Sequence, residues 1–266
     1  MKRTRILAVL LTAVMLLAVM PLSAVTAAGN VWDGTVASSF ASGSGTESDP
    51  YIITNGAELA HLYEIDSTGL YFELGNDIVL NDTSAANWYE NAMNWGYIEF
   101  YGSLDGKGYN INGLCYNPDE ITSDESYIGL FGYAENAIIE NVNVEDAYLV
   151  GTYSIGGIAG EGNCVYISNC SFDGTIKAYK YESVDSEGNP TMTGGSYAAG
   201  IIGYVYGDEG YESYILNCVN NGDVYTESYN AAGIAGGIEE YCYVEYCQNY
   251  GNISGSSYSG GIVGEA

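Results

Sequence analysis

Residues 156–170, GGIAGEGNCVYISNC, contain two patterns that recur along this chain. The first is a tract of two glycines around two apolar residues, Gly157-Ile158-Ala159-Gly160. The second is an apolar run that ends in an asparagine and a cysteine, Asn169 and Cys170. Because both patterns return several times, the stretch indicates a repeated structural unit rather than one catalytic loop or metal site.

The glycine tract occurs five times. The first glycines of successive tracts are 28, 43, 33 and 28 residues apart, and insertions lengthen the two longer intervals. The repeating unit therefore has about 28 residues. The glycines that bound the tracts are Gly129 and Gly132, Gly157 and Gly160, Gly200 and Gly203, Gly233 and Gly236, and Gly261 and Gly264.

The second pattern aligns without gaps as AIIENVNVEDA, VYISNCSFDGT, SYILNCVNNGD and CYVEYCQNYGN. Ile167 and Cys170 are both apolar but three residues apart, so both can face inward only if the chain bends between them. Asn169 lies at that bend, and asparagine tolerates the left-handed conformation that a bend needs. We call one position of this pattern the ladder position, and it is predicted to form a buried column in consecutive units: Val142, Cys170, Cys218 and Cys247.

Short strands joined by corners predict an all-β solenoid, a parallel β-helix in which each unit stacks on the previous one. A β-propeller is the alternative, although its blades need ~40–50 residues. Upstream, Asn55 is predicted to cap a short helix that has Leu59 and Leu62 on one side and closes the first unit. The following YFELGNDIVL, residues 71–80, is predicted to form a strand.

The chain is expected to divide into four parts. Residues 1–28 combine a basic start, an apolar run and a small-residue end, which is the pattern of a secretory signal peptide, with a membrane anchor as the less favoured alternative. Residues 29–50 form a lead-in, residues 51–126 the cap and first units, and residues 127–266 the repeats. Because the sequence stops inside the start of a repeat, we expect further units or domains to follow.

The charge is strongly acidic. The chain has 34 Asp and Glu against 6 Lys and Arg, a formal net charge of −28. Three of the basic residues lie in the predicted signal peptide, and no arginine follows it. This composition argues against nucleic acid as a partner, because phosphate binding needs a basic surface. No membrane insertion is expected once the signal is cleaved.

The repeat units resemble the GLUG motif of bacterial surface proteins, named for a Gly-Leu-apolar-Gly tract. Residues 129–132, GLFG, match it, and the later tracts have isoleucine in place of leucine. Residues 43–62, 71–80 and 101–114 resemble the segment that commonly precedes such repeats. The resemblance implies a right-handed parallel β-helix on secreted or wall-attached bacterial proteins. Those include adhesin-like proteins and the non-catalytic regions of immunoglobulin A-specific metallopeptidases.

Catalytic residues are not expected. The only histidine is His61, so the two-histidine helix of a metallopeptidase cannot form, and a packing or surface role is predicted for it. A polysaccharide lyase or hydrolase remains a less favoured alternative, because with 34 acids some carboxylates lie close together by chance.

The cysteines and one acidic loop are further candidate sites. The ladder cysteines are predicted to be buried thiols, and a disulfide between Cys164 and Cys242 stays open. An acidic loop offers a weak calcium candidate, with four carboxylates but no EF-hand pattern. Its residues are Asp119, Glu120, Asp124 and Glu125. No other cofactor is expected.

The sequence thus predicts a non-enzymatic secreted or cell-surface scaffold that binds a host protein, a glycan or a neighbouring cell. The alternative is the N-terminal spacer of a larger extracellular enzyme. The 27 tyrosines either form an outer binding face or serve only as good strand formers.

Overall fold

The computed structural model describes residues 31–122, 126–184 and 186–266. The predicted signal peptide, residues 1–28, lies outside the described residues. Nearly all regular structure is β-strand, which confirms the all-β prediction. The helical elements are α1, Gly56–Ala60, and two 3-10 turns, His61–Tyr63 and Trp88–Glu90. No helix among the described residues is long and apolar enough to cross a membrane.

The strands are short. The first fourteen are β1 Tyr51–Ile53, β2 Tyr71–Leu74, β3 Ile78–Val79, β4 Glu99–Phe100, β5 Ser103–Asp105, β6 Asn110–Asn112, β7 Cys115–Tyr116, β8 Tyr127–Ile128, β9 Phe131–Glu135, β10 Ile138–Glu140, β11 Asn143–Gly151, β12 Ser154–Gly156, β13 Ala159–Asn163 and β14 Tyr166–Ser168. The others are β15 Ser171–Ala178, β16 Lys180–Val184, β17 Pro190–Gly194, β18 Ala198–Ala199, β19 Ile202–Tyr206, β20 Ser213–Leu216, β21 Val219–Asn220, β22 Asp223–Thr226, β23 Ala231–Ala232, β24 Ala235–Ile238, β25 Cys242–Glu245, β26 Gln248–Asn249, β27 Ile253–Ser254 and β28 Val263–Glu265.

Four sheets of parallel strands contain all of these strands except β16 and β17. The seven-stranded sheet has the order β1-β2-β5-β10-β14-β20-β25, and the six-stranded sheet has the order β28-β24-β19-β13-β9-β4. A four-stranded sheet has the order β23-β18-β12-β8. The nine-stranded sheet has the path β26-β21-β15-β11-β6-β3, with β7, β22 and β27 paired beside it.

Each repeat unit contributes its strands to all four sheets. In the unit that contains residues 154–178, β12, β13, β14 and β15 belong to four different sheets. The neighbour of each strand is the equivalent strand of the next unit, so Ile139 pairs with Ile167, Ile167 with Ile215 and Ile215 with Val244. These are the partners that the gapless alignment of the second pattern predicts.

The inward side chains form one apolar cluster. Its largest fully buried members are the rings of Phe72, Phe100, Phe131 and Phe172. The glycine tracts insert apolar side chains into it, including Ile158 and Ile201, both with no exposed surface. At about 25 cal/mol per Å² of apolar area, burial of this kind supplies the main stabilising free energy of a stacked fold.

The last glycine of each tract lies against the backbone of the preceding unit. A Cβ atom would lie 2.7 Å from the Gly132 carbonyl oxygen at Gly160, 2.6 Å from that of Gly160 at Gly203, and 2.5 Å from that of Gly203 at Gly236. Real Cβ atoms do not come this close, so only glycine fits the column. The repeated glycines therefore reflect the close approach of stacked backbones.

The predicted corners are present and left-handed. Asn141, Asn169 and Asn217 have φ angles of 56°, 52° and 53°, and the equivalent residue of the next unit, Tyr246, has φ 58°. The N–H of each asparagine corner donates to the next unit, as from Asn169 to the Leu216 carbonyl oxygen at 3.0 Å. Asparagine is favoured here because its short side chain tolerates this conformation, whereas Tyr246 has no such advantage.

A second turn, four residues after the ladder position, takes two forms. In the earlier units the strand continues through Asp146 and Gly174, with a shift in the β11–β15 register between Val144 and Ala147. In the later units Gly222 and Gly251 separate two strands. The turn is therefore a bulge in a long strand where the flanking residues are strong strand formers.

The short N-terminal helix is confirmed. The Asn55 side chain accepts a hydrogen bond from the Glu58 N–H at 3.0 Å, and Leu59 and Leu62 are buried against the first strands. The segment 71–80 differs from the prediction of one strand, because it forms β2 and β3 in two different sheets. Gly75, Asn76 and Asp77 form the corner between them, and these residues favour turns.

The ladder position is continuous along the stack. The Val142, Cys170 and Cys218 carbonyl oxygens accept hydrogen bonds from the next units at 3.0, 2.9 and 2.9 Å. Val142, Cys170 and Cys218 are at most 1% exposed, whereas Cys247 is half-buried. No later unit among the described residues packs on Cys247, which explains its partial exposure.

Candidate functional site

The outward side of the six-stranded sheet carries alternating tyrosines and carboxylates. Because successive strand residues point to opposite sides, every second residue of β9, β13 and β19 faces outward. Register pairs Glu99 with Tyr133, Tyr133 with Glu161 and Glu161 with Tyr204. We define the tyrosine–glutamate face as this row, Glu265 in β28, and the adjacent row of Glu135, Asn163, Tyr206 and Glu239.

Hydrogen bonds hold most of the phenol groups of this face. The Tyr133 and Tyr206 hydroxyls lie 3.2 Å apart across β13, and the Tyr204 hydroxyl donates to Glu239. At one end, the Tyr101 hydroxyl donates to the Glu99 carboxylate at 2.8 Å. These contacts fix the rings, which lowers the entropic cost of using them as a binding surface.

A second set of rings continues the face toward the four-stranded sheet. The Tyr197 ring lies 4.7 Å from the Tyr204 ring and 5.6 Å from the Tyr153 ring. A Cβ atom at Gly237 would lie 2.7 Å from Tyr197 and 2.8 Å from Tyr204, so glycine makes room for both rings. The aromatic surface therefore spans several units.

The electrostatics of the face centre on Glu161. Burial, followed by the charge of Glu239, raises the pKa of the Glu161 carboxyl above its ordinary value. Burial, followed by the hydrogen bond to Tyr206, raises the pKa of Tyr133. The phenols therefore stay neutral donors near neutral pH, and the carboxylates make the face acidic.

The seven-stranded sheet carries a simpler stack of exposed side chains. Register aligns Ile138, Tyr166, Tyr214 and Tyr243 in successive strands. The Tyr214 and Tyr243 rings stack at 5.1 Å with an interplanar angle of 15°. This row of side chains is a less structured candidate surface, because no hydrogen bond connects its phenols to a carboxylate among the described residues.

The calcium candidates are only partly placed. Asp119 and Glu120 are exposed, and Asp124 and Glu125 lie outside the described residues. Among the residues that the structure describes, no group of three His, Cys, Asp or Glu could hold a metal ion. Calcium binding by this loop stays a prediction.

The histidine and the cysteines lie within the packing. The His61 ring packs 4.9 Å from the Phe40 ring. All six thiols are free, and Cys115, Cys170 and Cys218 are buried. Cys164 occupies a left-handed corner, with φ 53°, and lies beside Asp208 rather than in a disulfide with Cys242.

Two known proteins are similar in sequence to about half of this chain. No family model matches it. It is 31% identical over 140 residues to a "Putative Gly-rich membrane protein" of Evansella cellulosilytica, covering 50% of this chain and 16% of that protein. It is also 31% identical over 154 residues to the "Halomucin" of Haloquadratum walsbyi, covering 52% of this chain and 2% of that protein. The chain thus spans a small part of these relatives.

A solved structure is similar over more of the chain. It is described as a "putative immunoglobulin A1 protease" from Bacteroides ovatus. The TM-score is 0.63 at 25% sequence identity, and the similarity covers 85% of this chain and 64% of that one. The likeness therefore extends over most of the described fold.

Sequence reasoning named no residue of the tyrosine–glutamate face. It asked whether the tyrosines form an outer face, but it did not place them in register with glutamates. The signal was present in the residues that follow each glycine tract, where Tyr133, Glu161 and Tyr204 are each the first residue after the last glycine. Extending the alignment of the glycine tracts by three residues toward the C-terminus would have revealed this row.

Proposed function

We propose that this chain is a non-enzymatic repeat scaffold of a secreted or cell-surface bacterial protein, which binds a host protein, a glycan or a neighbouring cell. The observation that carries the proposal is the tyrosine–glutamate face, a fixed and partly exposed aromatic surface repeated over successive units. Tyrosine is enriched in binding surfaces because its ring buries apolar area while its hydroxyl bonds to polar partners. The relatives named above support an extracellular setting.

In this proposal the scaffold is a right-handed parallel β-helix of the GLUG type. Parallel strands that pair one unit apart, in four sheets around one core, support the solenoid. A crossover between parallel strands of one sheet is right-handed in ~98% of cases, which supports the hand. The tract at residues 129–132 supports the GLUG assignment.

The alternative proposal is a spacer within a larger extracellular enzyme. The structural likeness to the Bacteroides ovatus protein favours it, because the similar region covers 64% of that chain. In this alternative the stacked units hold a separate catalytic domain away from the surface that anchors it. The full native reading frame separates the two, since a downstream His-Glu-x-x-His segment favours the spacer and a wall-anchor module favours the adhesin-like protein.

The binding proposal is tested by immobilising the whole chain and measuring retention of neutral and acidic oligosaccharides, extracellular matrix proteins and whole bacterial cells. We expect saturable retention of at least one class, reduced when tyrosines of the face are replaced by serine. Tyr250→Ser, at an exposed tyrosine outside both candidate surfaces, is the matched control. Retention of nothing, or retention that ignores both replacements, contradicts the proposal. Release of soluble products from a polysaccharide identifies an enzyme instead.

A further inference from the structure

One carboxylate at the centre of the tyrosine–glutamate face has no hydrogen-bond donor. Glu161 accepts no hydrogen bond from any described residue, although it is half-buried. The Tyr204 hydroxyl donates to Glu239, and one of the Tyr133 and Tyr206 hydroxyls donates to the other, so none of these bonds reaches Glu161. The carboxylate oxygens still reach solvent, so they are free to accept hydrogen bonds from a ligand on this face.

Aromatic rings surround this carboxylate on both sides. Glu161 is the register partner of Tyr133 in one neighbouring strand and of Tyr204 in the other. Strands of a sheet lie ~4.8 Å apart, so both rings start within reach of a group bound to Glu161. Burial, followed by the Glu161 charge, also raises the pKa of Tyr127, which lies on the adjoining strand β8.

No cation among the described residues covers the site. Two of the three lysines after residue 28 have partners on other sheets: Lys107 bridges Glu73 at 2.9 Å and Asp105 at 3.1 Å, and Lys177 bonds the Tyr148 hydroxyl at 2.9 Å. Lys180 begins the hairpin strand β16. The face itself carries only carboxylates as charged groups, and the whole chain is at −28. A cationic ligand is therefore complementary in charge.

Carboxylate and rings together match one kind of group. An ammonium or guanidinium bonds to a carboxylate through charge-assisted hydrogen bonds and is also attracted to the face of a tyrosine ring. Further carboxylates on the same face, Glu99, Glu239 and Glu265, lie along the stack at other units. An extended ligand that carries several cations fits this spacing better than a single small ion.

We propose that Glu161, between Tyr133 and Tyr204, binds the lysine or arginine side chain of a basic, extended peptide segment of a protein partner. This inference rests on the proposed binding function and specifies the partner and the site. Neutral glycans could also stack on the rings, but they gain nothing from the concentration of negative charge on this face.

The test is the affinity of the whole chain for a fluorescent peptide of alternating lysine and glycine, measured by anisotropy at low salt. Glu161→Gln keeps the side-chain shape and removes the charge. We expect it to weaken binding by about tenfold, the size of one charge-assisted hydrogen bond. Glu245→Gln, which removes the same charge from the seven-stranded sheet, is expected to change the affinity less than about twofold.

Two further variants examine the ring. Tyr204→Phe keeps the aromatic face and should retain most of the affinity, whereas Tyr204→Leu should weaken binding about threefold or more, as expected for loss of a cation–π contact. Unchanged circular dichroism and thermal midpoints establish that each variant is folded. Equal effects of Glu161→Gln and Glu245→Gln would overturn the inference, since binding would then follow net charge alone.

The same assay separates failure of this inference from failure of the proposed function. If the chain binds a neutral oligosaccharide or a matrix protein but not the basic peptide, the binding function stands and the Glu161 site is refuted. If the chain binds none of these ligands, both are refuted. Binding of a chitosan oligomer with no binding of the peptide also overturns the inference, because the cation then belongs to a glycan.

Discussion

Gly203 lies directly against the backbone of Gly160, and a Cβ atom at Gly203 would be 2.6 Å from the Gly160 carbonyl oxygen and 2.5 Å from the Ile155 nitrogen. The neighbouring atoms are backbone, so they cannot move aside as a flexible side chain would. Gly203→Ala should therefore reduce the free energy of unfolding by about 1–3 kcal/mol or prevent folding. Urea unfolding followed by circular dichroism measures the change.

The matched control is Gly261→Ala. Gly261 is the first glycine of the last tract, and a Cβ atom there would meet nothing within 4 Å. Its replacement should change the free energy of unfolding by less than about 0.5 kcal/mol. Equal losses from the two replacements would show that the column of glycines is not set by backbone contact.

A tyrosine occupies a corner where earlier units have asparagine. Tyr246 has φ 58° and is 77% exposed, whereas the equivalent Asn169 and Asn217 have φ 52° and 53°. Tyr246→Asn should raise the free energy of unfolding by about 0.5–1 kcal/mol, because asparagine adopts this conformation at less cost. Tyr250→Asn is the control, since Tyr250 is 71% exposed without a left-handed backbone. A gain in both variants, or in neither, contradicts the explanation.

An asparagine ladder lies inside the later units. The fully buried Asn220 side chain donates to the Asn249 side chain at 2.7 Å and to the Gly222 carbonyl oxygen at 2.8 Å, and it accepts from the Gly222 N–H at 3.1 Å. Asn220→Ala leaves these groups without a partner and should reduce the free energy of unfolding by about 1–3 kcal/mol. Asn221→Ala, at an exposed neighbour, should have little effect on the thermal midpoint. Similar midpoints for the two variants would refute the ladder.

Stability should fall in alkaline solution. Burial raises the pKa of the Cys242 thiol to about 11 and that of Cys115 to about 12, from an ordinary 9.0. A raised pKa means that the folded state disfavours the thiolate, so this stability is complete below pH 9 and is lost as pH rises through 11–12. Unfolding with reductant present should show the decline. A Cys115→Ala, Cys242→Ala variant should decline less, and an identical decline would contradict the assignment to thiols.

The repeat, its period and its register were predictable from local residues. The pairing of Ile139, Ile167, Ile215 and Val244 follows directly from aligning four segments, because in-register stacking pairs equivalent positions. The left-handed corners followed from Asn169 and Asn217, since few other residues tolerate that backbone. The start of the short helix followed from its asparagine cap.

The features that were missed depend on contacts between units. The alignment placed Asn220 and Asn249 at the position of Phe172, yet polarity alone gave no reason to expect them inside, where the Asn220 amide donates to the Asn249 side-chain oxygen. The corner at residues 75–77 was missed because a run of strand formers continues on both sides of it. Glu161 was missed because an isolated glutamate in a glycine-rich stretch acquires meaning only when the tyrosines of the adjacent units lie beside it.

The register of the stack decides which residues meet on every face, and cross-linking tests it most directly. Tyr166 and Tyr214 are register partners on the outside of the seven-stranded sheet. Neighbouring strands lie ~4.8 Å apart, which suits a disulfide, whereas a diagonal neighbour two residues away lies at ~7–8 Å and does not.

A Tyr166→Cys, Tyr214→Cys variant should form the new disulfide under mild oxidation, as located by peptide mapping, while a Tyr166→Cys, Leu216→Cys variant should not. Efficient cross-linking of the second pair, or of both pairs equally, would contradict the register on which the fold and the binding face depend.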